Sequence, residues 1–241
     1  MERIPPRVFR KAVLSFWDTR TVQQAAAVRD QGARSAVTGG AQMDGFARKL
    51  EELMIQVGVP RLNIFNRRRV ELPGYFRPTK QWDLLVVSGR ELVAAIELKS
   101  QVGPSFGNNF NNRTEEALGA ALDTWTAYRE GAFAASPQPW LGYLFLLEDC
   151  PRSRLPVAVV EPHFPVFEEF RGASYARRYE IFCRKLVRER QYAAACFLTS
   201  DRAKALRSTN YDEPAPDLSA SVFLTELLIH LEGRRYQSAI D

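Results

Sequence analysis

Three charged residues stand among apolar ones at a spacing that could do chemistry. In residues 92–99, LVAAIELK, side chains alternate across an extended chain, setting Ala95, Glu97 and Lys99 on one face and Ile96 and Leu98 on the other. A carboxylate and an ammonium group so near a core are costly unless paired or metal-bound. Asp83 opens a second apolar run, and the turn signal Ser88-Gly89-Arg90 folds the two runs into a hairpin that brings Asp83 beside Glu97. Two carboxylates and a lysine make an oxygen-lined site suited to Mg2+. The matching chemistry is metal-assisted hydrolysis of a phosphodiester. In that reading Asp83 and Glu97 would hold one or two ions, and Lys99 would orient the attacking water and offset charge on the phosphorane; the plainer reading is charged strand ends that face water. Glu52, on the helix before the hairpin, is assigned as a further metal ligand, with Glu51 the alternative set by helix rotation.

The elements that must position these groups follow from periodicity. Residues 7–28 and 42–57 read as helices, the second with Phe46, Leu50, Leu53, Met54 and Val57 at helical spacing. Residues 62–65, 81–87 and 92–99 read as strands, 113–129 as a helix, and 140–147 as a buried strand. Residues 174–190 read as a basic helix and 218–231 as an apolar one, while 193–198 are ambiguous between strand and helix. The order α-β-β-β-α-β followed by helices predicts an α/β sandwich around a small mixed sheet, in a single domain spanning 1–241.

Composition sets the outer limits. The 241 residues carry 33 Lys+Arg against 28 Asp+Glu, a net charge of +5, with 46% hydrophobic and 25% charged residues. These proportions exclude a disordered or collagen-like chain. Cys150, Cys183 and Cys196 show no CxxC or CxH spacing, which argues against a disulfide framework or structural zinc and for buried thiols in a reducing cytosol. The first twenty residues lack the apolar run of a signal peptide, and no segment approaches the roughly 20 apolar residues of a membrane helix. A soluble, cytoplasmic protein without membrane attachment is expected.

The positive charge is clustered. Residues 103–113, GPSFGNNFNNR, concentrate Asn108, Asn109, Asn111, Asn112 and Arg113 in an expected loop after the catalytic strand. Asn pairs bidentately with adenine and Arg with guanine in the major groove, so this segment has the chemistry to read base edges. Its plainer reading is a polar turn with Asn112 or Thr114 as N-cap of the next helix. Arg67-Arg68-Arg69 with Lys80 flank the hairpin, and Arg177 and Arg178 lead a basic helix suited to phosphate contacts, with Glu180 and Glu189 as partners in the plainer alternative. His163 and His230 lack metal-ligand spacing and read as structural.

The run AIELKSQVGPSFGNNFNNRTEEALG, with PTKQWD upstream, closely resembles the XhoI family of Type II restriction endonucleases in the PD-(D/E)xK nuclease superfamily. The resemblance is most specific over residues 78–128 and extends over most of the chain. It implies a restriction-endonuclease-like core with additional C-terminal helices, and the roles Asp83 metal ligand, Glu97 metal ligand and Lys99 catalytic lysine. It also implies Mg2+ as cofactor, double-stranded DNA cut at the palindrome CTCGAG, and a cognate DNA methyltransferase that pairs in function without a stable complex. One departure stands out: Trp82, not proline, precedes Asp83, and the nearest proline is Pro78.

A palindrome is read most simply by a two-fold symmetric homodimer. The apolar helix with Phe223, Leu224, Leu227, Leu228 and Leu231 is either its contact or part of the subunit's own core. Two other functions compete: a catalytically silent DNA-binding protein, and a repair-type nuclease of the same fold without a fixed site.

Overall fold

In a computed structural model, residues 4–29, 41–134, 136–208 and 210–237 are described. Strands β1 (Ile64–Asn66), β4 (Leu84–Ser88), β5 (Glu91–Gln101), β6 (Trp140–Glu148) and β7 (Ala194–Ser200) form a five-stranded sheet in the order β1-β4-β5-β6-β7. β4 runs antiparallel to both its neighbours, β1 and β5, whereas β5, β6 and β7 run parallel. Parallel strands are covered on both faces, and accordingly β6 is buried along nearly its whole length. The run 193–198, ambiguous in sequence, is thus a strand. A separate antiparallel ribbon, β2 (Glu71–Pro73) with β3 (Thr79–Gln81), precedes the hairpin and was not expected.

Helices α1 (Arg10–Arg29), α2 (Asp44–Gln56) and α7 (Ala220–Leu231) cover one sheet face. Their partners there include Val86, Ile96, Leu98, Leu144 and Leu198. Helices α3 (Phe106–Arg129) and α5 (Tyr175–Arg188) cover the other, over Ala95, Tyr143, Phe145 and Phe197. Short helices α4 (Pro151–Arg154) and α6 (Arg202–Ser208) complete the described α-helices. The mixed sheet between helical layers agrees with the expected sandwich. Phe223, Leu224, Leu227, Leu228 and Leu231 are all buried in the subunit's own core, so they are not available as a dimer contact. Among the described residues no helix is long and apolar enough to cross a membrane.

One boundary differs in a way that matters. α3 starts at Phe106, seven residues before the expected position, and its N-cap is Ser105 rather than Asn112 or Thr114. Asn is a poor helix former, but Phe106 and Phe110 lie four residues apart and pack on Tyr175 and Tyr179 of α5, with ring centroids 5.6 and 5.0 Å apart. Packing overrides propensity, and the Asn-rich segment is helix, not loop.

Candidate active site

The β4–β5 hairpin builds the site. Gly89 takes φ +56, a left-handed value that suits glycine, and Gly89-Arg90 turn the chain so that Leu84 pairs with Ile96. Asp83, one residue before β4, then reaches β5: its Oδ2 accepts the Leu98 N–H at 2.7 Å. Glu97 and Lys99 project to the same side of β5, as alternation requires, with Lys99 Nζ 2.5 Å from Glu97 Oε1 and 4.0 Å from Asp83 Oδ2. The three expected residues are brought together.

Lys80 joins them. It comes from β3, and its Nζ stands 2.9 Å from Glu97 Oε2, 2.7 Å from the Gln81 carbonyl and 4.8 Å from the centre of the Trp82 ring. Each oxygen of Glu97, only 3% exposed, therefore faces a different ammonium group. Burial alone would raise the Glu97 pKa; Lys99 and Lys80 outweigh it and hold the carboxyl below its usual range. Asp83 goes the other way. Burial first, then repulsion from Glu97, push it up to about 6, against the opposing pull of Lys99 and the Leu98 N–H. For Lys99, burial is outweighed by Glu97 and Asp83, and its pKa rises, so it remains ammonium at neutral pH.

These groups lie between two adjoining cavities. One of about 370 Å³ is lined by Gln42, Arg77, Lys80, Asp83, Glu97, Lys99 and Arg113. The other, about 890 Å³, shares Asp83, Leu98 and Lys99 and adds Glu51, Arg48, Arg61, Asn66 and Arg67. A cationic rim around a recessed acidic centre suits a polyanion whose phosphate must approach the carboxylates.

The donor set fits a hard divalent cation. An ionised Glu97 beside an Asp83 whose pKa it raises is a pair that a cation would relieve. Among the described residues no three His, Cys, Asp or Glu gather to enclose a metal, and Asp83 and Glu97 are the two carboxylates brought together. Glu52 is not brought to the site. Its side chain is 63% exposed, pairs with Lys49 at 3.0 Å, and faces a hollow with Pro5 and Pro6. One residue is about 100° of helix rotation, and it is Glu51 that faces the cavity, bonded to Asn66 and Arg61.

The DNA-reading candidates divide. Arg113 lines the smaller cavity and pairs with Glu116 at 2.6 Å. Asn108, Asn111 and Asn112 are exposed on the first turns of α3, and Asn109 is half-buried. Arg178 is not free for phosphate: its guanidinium donates to the carbonyls of Ala173 and Val157, both at 3.1 Å. Arg177 pairs with Glu180 at 2.6 Å on the surface, the plainer of its two expected roles. His230 Nε2 lies 3.1 Å from the Val93 carbonyl, and its pKa falls through burial and Arg234. Cys183 and Cys196 are buried free thiols, while Cys150 is half-buried. Lys80 as a partner of Glu97 escaped the sequence reading, which grouped it with the flanking arginines; its two-residue spacing from Trp82 was the available signal.

Comparisons with known proteins place the chain in a family. The sequence model of the restriction endonuclease XhoI family matches residues 22–212. The chain is 55% identical to the Type II restriction enzyme BstVI of Geobacillus stearothermophilus over 215 residues, 87% of this chain and 96% of that protein. It is 51% identical to the Type II restriction enzyme XhoI of Xanthomonas vasicola over 185 residues, 75% of each chain. No solved structure matches the chain. With a family match across most of its length and relatives sharing half their residues, the chain belongs to the XhoI restriction endonuclease family.

Proposed function

We propose that this protein is a Type II restriction endonuclease, a single restriction-endonuclease-like domain of the PD-(D/E)xK type that cuts double-stranded DNA with Mg2+. The observation that carries the reading is the convergence of Asp83, Glu97 and Lys99 inside a cationic groove. The restriction enzymes among its relatives support the substrate class. The target CTCGAG rests on the family resemblance. A palindromic target calls for a two-fold homodimer, and a host whose own DNA carries the site needs a methyltransferase to protect it. Both partners belong to the proposal, as does a cytoplasmic location beside the DNA.

Asp83 and Glu97 would hold Mg2+, which when bound polarises the phosphate and lowers the pKa of its water. The Leu98 N–H fixes one Asp83 oxygen, so the carboxylate is oriented before substrate arrives. Lys99, kept as ammonium, can only donate: it directs the attacking water and offsets charge on the phosphorane. Lys80 keeps Glu97 ionised from its other oxygen. Arg113 and Arg77, on the cavity wall, supply phosphate contacts.

Digestion of plasmid DNA with Mg2+ tests the reading. Discrete fragments ending at one sequence are expected. A smear would point to the repair-type nuclease, and binding without cleavage to the silent DNA-binding protein.

A further inference from the structure

The tip of the β2–β3 ribbon carries two aromatic rings in water on a backbone that is already fixed. Tyr75 is 53% and Phe76 66% exposed, with ring centroids 4.9 Å apart and edge to face. Beneath them Asp123 of α3, buried, accepts the N–H groups of Tyr75 at 2.7 Å and Phe76 at 2.9 Å, and the Arg77 Nε at 2.6 Å. Gly74 lets the tip seat so closely: a Cβ there would stand 2.6 Å from the Arg77 carbonyl and 2.8 Å from Asp123 Oδ2. Burying a carboxylate to hold a surface loop is costly, and these three donors are what offset it. The result is a rigid tip whose apolar side chains cover nothing.

Its place beside the site says what it meets. Arg77, next to Phe76, and Lys80, on the ribbon's second strand, both line the cavity that holds Asp83 and Glu97. Tyr75 lies two residues from Arg77, at most about 7 Å of chain, less than the roughly 12 Å width of a major groove. Aromatic rings next to cations are a pairing by which proteins hold single strands, the rings taking bases and the cations phosphates, and apolar rings also wedge into base steps of a duplex. We propose that Tyr75 and Phe76 form a base-contacting wedge that packs against a base step of the duplex whose phosphate lies over Asp83, Glu97 and Lys99. The inference rests on the nuclease reading above. Because the Asp123 bonds fix the tip in the free protein, binding pays little to order it.

The test uses the full chain. Plasmid digestion by the wild type with Mg2+ first maps its cleavage sequence. A duplex bearing that sequence, with 5-iodouracil replacing thymine at one position at a time, is then irradiated with the wild type in Ca2+. Cross-links to Tyr75 or Phe76 are expected, and cross-links confined to other residues overturn the proposal. In anisotropy titrations the Tyr75→Ala/Phe76→Ala variant should bind about 5- to 150-fold more weakly, the worth of one stacked base, with unchanged melting temperature and sedimentation. Tyr75→Trp should retain affinity. A double variant that binds as tightly as wild type overturns the wedge while leaving the nuclease reading intact. A variant that loses self-association instead makes the tip a contact between copies, which also overturns it. A wild type that yields no discrete fragments overturns the nuclease reading itself.

Discussion

Lys80 Nζ bonds Glu97 Oε2 at 2.9 Å, and the bond joins a two-stranded ribbon to the central sheet through the most buried carboxylate of the site. Lys80→Met should therefore do more than remove a surface charge. Cleavage should slow about 10- to 100-fold, the usual cost of losing an outer partner of a ligand. Glu97 should also become harder to ionise, moving the acid limb of the rate profile to higher pH. Single-turnover cleavage from about pH 5 to about pH 9 measures both effects. A slower enzyme with an unmoved acid limb would make Lys80 a phosphate contact only.

Glu97→Gln or Lys99→Ala should lower cleavage by about 10²- to 10³-fold or more, since these groups act on charge that develops in the transition state. Affinity for the same duplex in Ca2+ should change little. Activity within a few-fold of wild type in either variant would remove that residue from the site.

Asp83 ties stability to pH. Its carboxyl binds a proton more tightly in the fold, with a pKa of about 6, than at its ordinary 3.8. Its contribution to stability is thus fully present below about pH 3.8 and is lost as pH rises through about 6. Asp83→Asn should raise stability near neutral pH, by about 1–3 kcal/mol, and abolish cleavage. Denaturation with pH shows the first: the gain should vanish in acid. Added Mg2+ should raise the wild-type melting temperature above about pH 6 more than below it.

Asn108, Asn109, Asn111 and Asn112 present successive faces of one helix, so no more than some can meet base edges together. An alanine at a residue that reads a base should cost about 1–3 kcal/mol of discrimination between cognate and scrambled duplexes. Arg177→Ala should leave affinity and its salt dependence close to wild type, because the guanidinium is already paired with Glu180. Arg178→Ala should lower the melting temperature instead, because its guanidinium satisfies two backbone carbonyls.

Sedimentation with and without cognate duplex tests the symmetric assembly. Two chains per duplex and concerted cutting of both strands are expected. One chain per duplex, nicking one strand at a time at every working concentration, would exclude the dimer.

The β4–β5 hairpin was legible because a period of two is strict: Glu97 and Lys99 had to share a face, and a tight glycine turn had to return the chain to Asp83. The start of α3 was not, since Gly103, Pro104 and four asparagines read as turn residues, and only Tyr175 and Tyr179 of a distant helix reveal why Phe106 and Phe110 must be helical. Glu51 and Glu52 are neighbours in sequence and point to different cavities, a difference of helix phase that composition does not carry. The ribbon was hidden by strands of three residues with a proline among them. Asp123 gave no local sign at all, for its three partners lie across the fold.

Lys80, Asp83, Glu97 and Lys99 sit on one short stretch of chain, closed by a hairpin, whereas β5 meets β6 and β7 only after long crossovers through α3 and α5. Hairpin closure takes about 1–10 µs and precedes pairings that need long loops to close. The acidic groups of this segment therefore need no long loop to close before they can meet. The same locality makes the segment portable: new termini opened in the connection between α3 and β6 leave every one of these residues on a single uncut piece.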